Sequence, residues 1–274
     1  MDLVSAEDIS QRIEGLEASH SVASRVMLLV ERDDIGAQEL SVVISADPVL
    51  VYRIMQMANS AFYGTGNRVK ELRVAIAIIG FQAVKSLSLT AMIEGTGSVT
   101  PQDWQHSISA AIAASEVARR LGADSQLAFS VGLLHDIGRA VMSSLNPALA
   151  LSVGKLESSP LTIGAEREML SMERKEFGIN HAVLGADVLE YWNFSSEIVQ
   201  AVANHHPQKG SISRLHGAIV DGDRIARLIE SDISMAEIGG GEVLLPQYVH
   251  PQDLPDFIKT IQAKATSMLH DLFG

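Results

Sequence analysis

Five of the nine histidines in this 274-residue sequence, His106, His135, His181, His205 and His206, fall where a helix is predicted to start, end or turn inward. Asp136 follows His135 directly, after the apolar run Phe129-Ser130-Val131-Gly132-Leu133-Leu134. At least one polar side chain of that pair must therefore turn into a mostly buried environment and be satisfied there. A neighbouring imidazole and carboxylate can give nitrogen and oxygen to one ion, or the carboxylate can bridge two. A compact nitrogen and oxygen site for Fe, Mn or Zn needs those groups. Asp223, mid-helix between Val220 and Ile225, adds a second carboxylate. There is no cysteine, which excludes a thiolate zinc site.

Each of these residues also has an ordinary reading. An isolated His-Asp pair in a helix is commonly a hydrogen-bonded polar pair. His205 and His206, just before Pro207, suit a helix C-terminus, where positive charge is favoured. His181 can be a first-turn surface residue, His106 a helix flank, and Asp223 a partner for Arg224 or Arg227. The metal reading rests on all of them occurring together.

Helices must position these groups. Helix signals begin at Ser5-Ala6-Glu7-Asp8 and continue through Ser21 to Glu31, where Val22, Val26, Leu29 and Val30 recur at helical spacing. Asp47-Pro48 reads as an N-cap with proline in the first turn, opening a helix that ends near Asn59-Ser60. The turn Tyr63-Gly64-Thr65-Gly66-Asn67 follows, with Phe62 packed inward and Gly64 left-handed. Val69 to Met92 reads as two helices meeting at an angle near Gly80, and Met55, Met57 and Met92 as core filling. The small-residue stretch Gly95 to Pro101 marks a junction between subdomains at 1–99 and 100–274, within one continuous unit. Beyond it helices are predicted at Pro101 to Leu121, Ser125 to about Leu145, Thr162 to Phe177, Asn180 to Trp192, Ser195 to His205, Ser211 to Ser231 and Asp253 to Leu272. A surface loop is predicted from Gly239 to Pro251.

Composition agrees with an all-α protein. Hydrophobic residues make up 47% and aromatics only 5%, favouring close-packed helices over sheets. The formal charge of -12 disfavours nucleic acid and anionic membranes as partners. The lack of a long apolar run and the acidic N-terminus predict a cytoplasmic protein.

The order His106, His135-Asp136-Ile137-Gly138, His181-Ala182-Val183-Leu184-Gly185, His205-His206 and Asp223 resembles the HD superfamily, and in particular the HD-GYP branch of metal-dependent phosphodiesterases. That resemblance implies His106, His135, Asp136 and Asp223 as core metal ligands, with Asp136 bridging, and His181, His205 and His206 completing a second position. Arg139 stands where those enzymes carry lysine, keeping the charge but changing its geometry. Gln102 occupies the place of an extra glutamate ligand in three-metal members, so two ions at most are expected. The Gly-Tyr-Pro motif is missing after His206, which argues against cyclic di-GMP as substrate.

The first half is similar to the HDOD family, through Ala46-Asp47-Pro48-Val49-Leu50, Asn59-Ser60-Ala61-Phe62-Tyr63-Gly64 and Val74-Ala75-Ile76-Ala77-Ile78-Ile79-Gly80. This second resemblance spans about Ser21 to Ile229 and implies an output or scaffold module of bacterial signalling with an HD-like C-terminal part. The expected function is regulatory. A metal pocket, loaded with one or two divalent ions (Fe, Mn, Zn or Mg) or with none, would bind a signalling partner or a phosphate-containing ligand. The alternative is a metal-dependent phosphohydrolase of phosphomonoesters or nucleotides, with Asp136 and Arg139 as catalytic groups. A helical scaffold for self-association is the third reading.

Overall fold

The computed structural model describes residues 15, 21–66, 68–148, 162–206, 213–231 and 243–273. Among these, helices account for all regular structure apart from a single antiparallel bridge between Thr162 and Val243. The chain is all-α. The predicted start at Ser5 to Asp8 lies outside the described residues.

The first half comprises α1 (Ser21–Val30), α2 (Ala37–Ile44), α3 (Pro48–Asn59), α4 (Leu72–Ile79) and α5 (Phe81–Glu94). Asp47 caps α3 by accepting from the Val49 and Leu50 amides. Gly80, at φ 84°, lets α4 and α5 meet at 103°. The turn after α3 is pinned by Asn59, whose amide donates to Val69 O at 2.9 Å while its oxygen accepts from Val69 N at 3.0 Å. Gly64 is left-handed, and Phe62 lies 4.8 Å, ring to ring, from Phe129 of the second half. Met57 and Met92 are fully buried in the core.

The second half is organised around α6 (Pro101–Leu121). Thr100 and Asp103 form a reciprocal capping box at its start, and Gly122 turns left-handed at its end. The remaining helices are α7 (Ser125–Leu134), α8 (Ile137–Leu145), α9 (Ile163–Phe177), α10 (His181–Tyr191), α11 (Ser196–Ala203), α12 (Arg214–Glu230) and α13 (Leu254–Phe273). Close helix contact depends on missing side chains. A Cβ on Gly132 of α7 would stand 2.7 Å from Ala111 Cα, and one on Gly222 of α12 would stand 2.8 Å from Ala110 O. Both helices therefore lie against the alanine-rich face of α6. One apolar core runs from Ala23 to Leu272 through both halves.

One expectation needs correction, and the described part of the predicted surface loop gains an anchor. The helix predicted from Ser125 to Leu145 is broken at His135-Asp136, where Asp136 takes φ -99° and ψ 15° between α7 and α8. The described part of the predicted surface loop, 243–251, is strapped across α12. Buried Asp221 accepts from the amides of Gln247 (2.7 Å) and Tyr248 (2.6 Å), Arg224 donates to Leu245 O, and Val249 is buried. Asp221 and Arg224 satisfy backbone groups that water would otherwise hold, so the segment can lie on the helix. No single helix among the described residues is long and apolar enough to cross a membrane. The apolar pair α4 and α5 instead lines the core.

Candidate metal centre

The break after Leu134 turns His135 and Asp136 towards the gap between α6, α10, α11 and α12. Ring by ring, the outer nitrogen of each histidine finds an acceptor. His135 Nδ1 donates to Gly132 O at 2.8 Å and His205 Nδ1 to Val202 O at 2.7 Å. His106 Nδ1 meets Glu230 Oε1 at 2.9 Å, and His206 Nδ1 meets Glu166 Oε1 at 2.8 Å. His181 is held most firmly: its Nδ1 lies 2.7 and 2.9 Å from the two oxygens of Glu173, which also accepts from its backbone amide at 3.0 Å. Carbonyls and carboxylates only accept, so the proton of each ring sits on Nδ1. All five Nε2 atoms face inward.

They converge in two groups. His106 Nε2 lies 3.1 Å from His135 Nε2 and 3.2 Å from Asp223 Oδ1, while Asp136 Oδ2 lies 3.5 Å from both imidazoles. On the other side, His181 Nε2 lies 3.2 Å from His205 Nε2 and 2.8 Å from His206 Nε2. Asp136 Oδ1 completes this group at 3.2 Å from His181 and 3.4 Å from His205. Asp136 thus spans both groups with its two oxygens. Ligands about 2.1 Å from one ion lie about 3.0 to 3.4 Å apart for octahedral or tetrahedral angles. The observed separations, 2.8 to 3.5 Å, centre on that spacing.

The arrangement is costly without positive charge. Facing lone pairs cannot hydrogen-bond to each other, and buried Asp136 Oδ1 has no hydrogen-bond partner. The charge balance points the same way. Burial disfavours a charged His106, yet Glu230 and Asp223 raise it to about 10. Burial likewise opposes charge on His181, and the Glu173 carboxylate raises it. Burial pushes His205 down to about 4, and burial beside His205 and His181 holds His206 well below its ordinary value. Against burial, Arg139 and His135 hold Asp136 well below the usual carboxylate range, and Arg227 and His106 do so for Asp223. One imidazole in each group, His106 and His181, is thus drawn towards its charged form where a cation would sit. The residues fit a pair of divalent ions.

His106, His135, Asp136, His181, His205, His206 and Asp223 all lie in this cluster. Arg139 reaches it through Nη1, 3.3 Å from Asp136 Oδ2. Asp223 pairs with Arg227, whose Nε donates to Asp223 Oδ1 at 2.8 Å, whereas Arg224 faces the strap. Gln102 is exposed in the first turn of α6. The carboxylates behind the imidazoles, Glu166, Glu173 and Glu230, are not evident from the ligand pattern. A signal for two of them exists: Glu166, Met169 and Glu173 share one face of a largely polar helix, and all three are buried. Gly138 fixes α8 against α10, since a Cβ there would meet His181 O at 2.0 Å.

The HDOD domain profile matches residues 16–208, well over half of the sequence. The chain belongs to the HDOD family. Its fold is also that of an HDOD domain protein of unknown function from Geobacter sulfurreducens, at TM-score 0.63 and 17% identity, covering 95% of this chain and 99% of that one. A protein described as a candidate phosphohydrolase from Shewanella amazonensis aligns at TM-score 0.69 and 22% identity, covering 96% and 97%. Among curated proteins, an uncharacterized protein of Treponema pallidum is 22% identical over 73% of this HDOD chain, which spans 39% of that protein's length. Ribonuclease Y of Lawsonia intracellularis is 31% identical over 113 residues, 41% of this chain and 16% of that protein.

Proposed function

We propose that this HDOD protein is a regulatory module whose second half binds two divalent metal ions and, through them, a phosphate-containing ligand. One observation carries the reading: five inward-facing Nε2 atoms and the two oxygens of Asp136 form two adjoining groups with ligand-like spacing. The nitrogen-rich set suits Fe, Mn or Zn better than Mg, which prefers oxygen ligands. Bound ions would supply Lewis acidity towards a phosphate ester. The chain's own residues do the rest. The acceptors behind each imidazole fix the rings and their protons. Arg139, whose Nη1 lies 3.3 Å from Asp136 Oδ2 and whose Nη2 donates to Met169 Sδ, would add positive charge for a phosphate beside Asp136. The overall charge of -12 favours a small phosphate compound over a polymer.

A second reading, hydrolysis of that phosphate ester, is favoured by the completeness of the ligand set. The test begins with metal analysis of untagged protein, expected to give two ions per chain. Inorganic phosphate binding to the loaded protein follows, then a turnover screen of phosphomonoesters, cyclic nucleotides and short RNA with Mn or Fe. Turnover abolished by His135→Ala would favour hydrolysis. Metal-free protein under every loading condition would overturn both readings.

A further inference from the structure

Lys85 of α5 is fully buried, yet it serves neither group of histidines. Its ammonium pairs with Glu31 after α1, donates to Asn193 O at 3.0 Å and lies 4.2 Å from the centre of the Phe194 ring. Burial lowers its pKa, while Glu31 opposes that shift. A cation in the interior is expensive to hold unless its partners are fixed. Here the partners come from both halves of the chain. Asn193 and Phe194 form the turn between α10 and α11, and Asn193, at φ 54°, is the one non-glycine residue with positive φ among those described. The backbone there is held in a conformation that L-residues seldom adopt.

That turn closes a helix hairpin. α10 begins at His181 and runs to the turn, and α11 runs back from it to Ala203, just before His205 and His206. The open ends meet, with His181 Nε2 3.2 Å from His205 Nε2. The three imidazoles of the second group therefore sit at the jaw of the hairpin, with Lys85 at its hinge. An 11-residue helix is about 16 Å long, so a tilt of about 5° at the hinge moves the jaw by about 1.4 Å. Metal–ligand distances tolerate only about 0.2 Å.

We propose that Lys85 is a positioning residue: by clamping the α10–α11 turn to Glu31 of the first half, it holds His181, His205 and His206 at the distance from Asp136 that a shared metal ion requires. The inference rests on the metal-binding reading above and adds a role for the first half, which contributes no ligand. It also predicts that only one of the two ions depends on the clamp.

The test is Mn2+ binding to the full chain, with stoichiometry and affinity read by calorimetry and the Mn–Mn coupling read by EPR. Wild type is expected to bind two ions with a coupled signal. Lys85→Met should keep one ion at near wild-type affinity, bind the second at least tenfold more weakly, and give an uncoupled signal. Lys85→Arg should restore much of the second site. Leu40→Ala, a core truncation in α2, should lower the melting temperature yet keep both ions, separating positioning from general stability. If Lys85→Met does not fold, Glu31→Gln carries the same expectation with a smaller loss. Two tightly bound, coupled ions in Lys85→Met or Glu31→Gln would overturn this inference alone. Wild type without two ions would overturn the metal reading, and this inference with it.

Discussion

The two groups around Asp136 share that carboxylate but are assembled on different principles. The first draws Asp223 from the middle of α12, His106 from the second turn of α6 and His135 from the end of α7. These helices are locked together where Gly132 and Gly222 meet the alanines of α6. The second draws His181, His205 and His206 from helix ends, oriented by Glu173, Val202 O and Glu166. The first group has its helices fixed by this close packing in addition to its tethers, whereas the second, drawn wholly from helix ends, depends on its tethers. Substitutions outside the ligand set should therefore damage the second group more.

Removing the shared member should erase the distinction. Asp136→Ala is expected to drop metal content from two ions to none, with at least a hundredfold loss of affinity at each position by metal analysis after dialysis. One ion retained would show that the groups are independent. Next in size, Glu173→Gln should weaken the second ion about ten- to a hundredfold, since it removes the charge from a carboxylate that holds both Nδ1 and the backbone amide of His181. Glu230→Gln, behind a ring already placed by α6, should cost the first ion less. Equal losses would contradict the contrast between packing and tethers.

A pH titration sharpens the comparison at the first group. His106 ordinarily titrates near 6.5 and is raised to about 10 in the folded, ion-free protein. Its proton therefore stabilises the ion-free fold fully below about pH 6.5, and this contribution is lost as pH rises towards 10. The melting temperature of ion-free protein should fall by several degrees over that window, while loaded protein, whose ion replaces the proton, should change little. Affinity for the first ion should rise with pH over the same range. The smallest effect is expected for Arg139→Lys, which keeps the charge but loses the fork. Phosphate binding to loaded protein should weaken a few-fold with metal content unchanged.

The clustered histidines and aspartates were legible in the sequence because they are rare, polar and placed against apolar patterns: His135-Asp136 after six mostly apolar residues, Asp223 inside a buried helix. Helix ends with chemical markers were legible too, as at Asp47-Pro48, Thr100-Pro101 and Gly122. The break at His135-Asp136 was not, because no glycine or proline stands there and the backbone departs from the helix at two residues of ordinary propensity. Nor was the packing of 243–251 on α12, where a distant carboxylate, Asp221, satisfies the backbone amides. Glu230 escaped notice because a glutamate near a helix end looks like solvent-facing charge until the facing helix is known.

Gly138 bears on how any survey of variants of this protein would look. A methyl group there has no room against His181 O, so even alanine would push α8 away from α10 and carry Asp136 with it. A saturation library scored for function would mark Gly138 as intolerant as any histidine, although it offers no ligand atom. Scored for abundance, the two would separate: histidine variants would accumulate as folded, inactive protein, and Gly138 variants would be depleted.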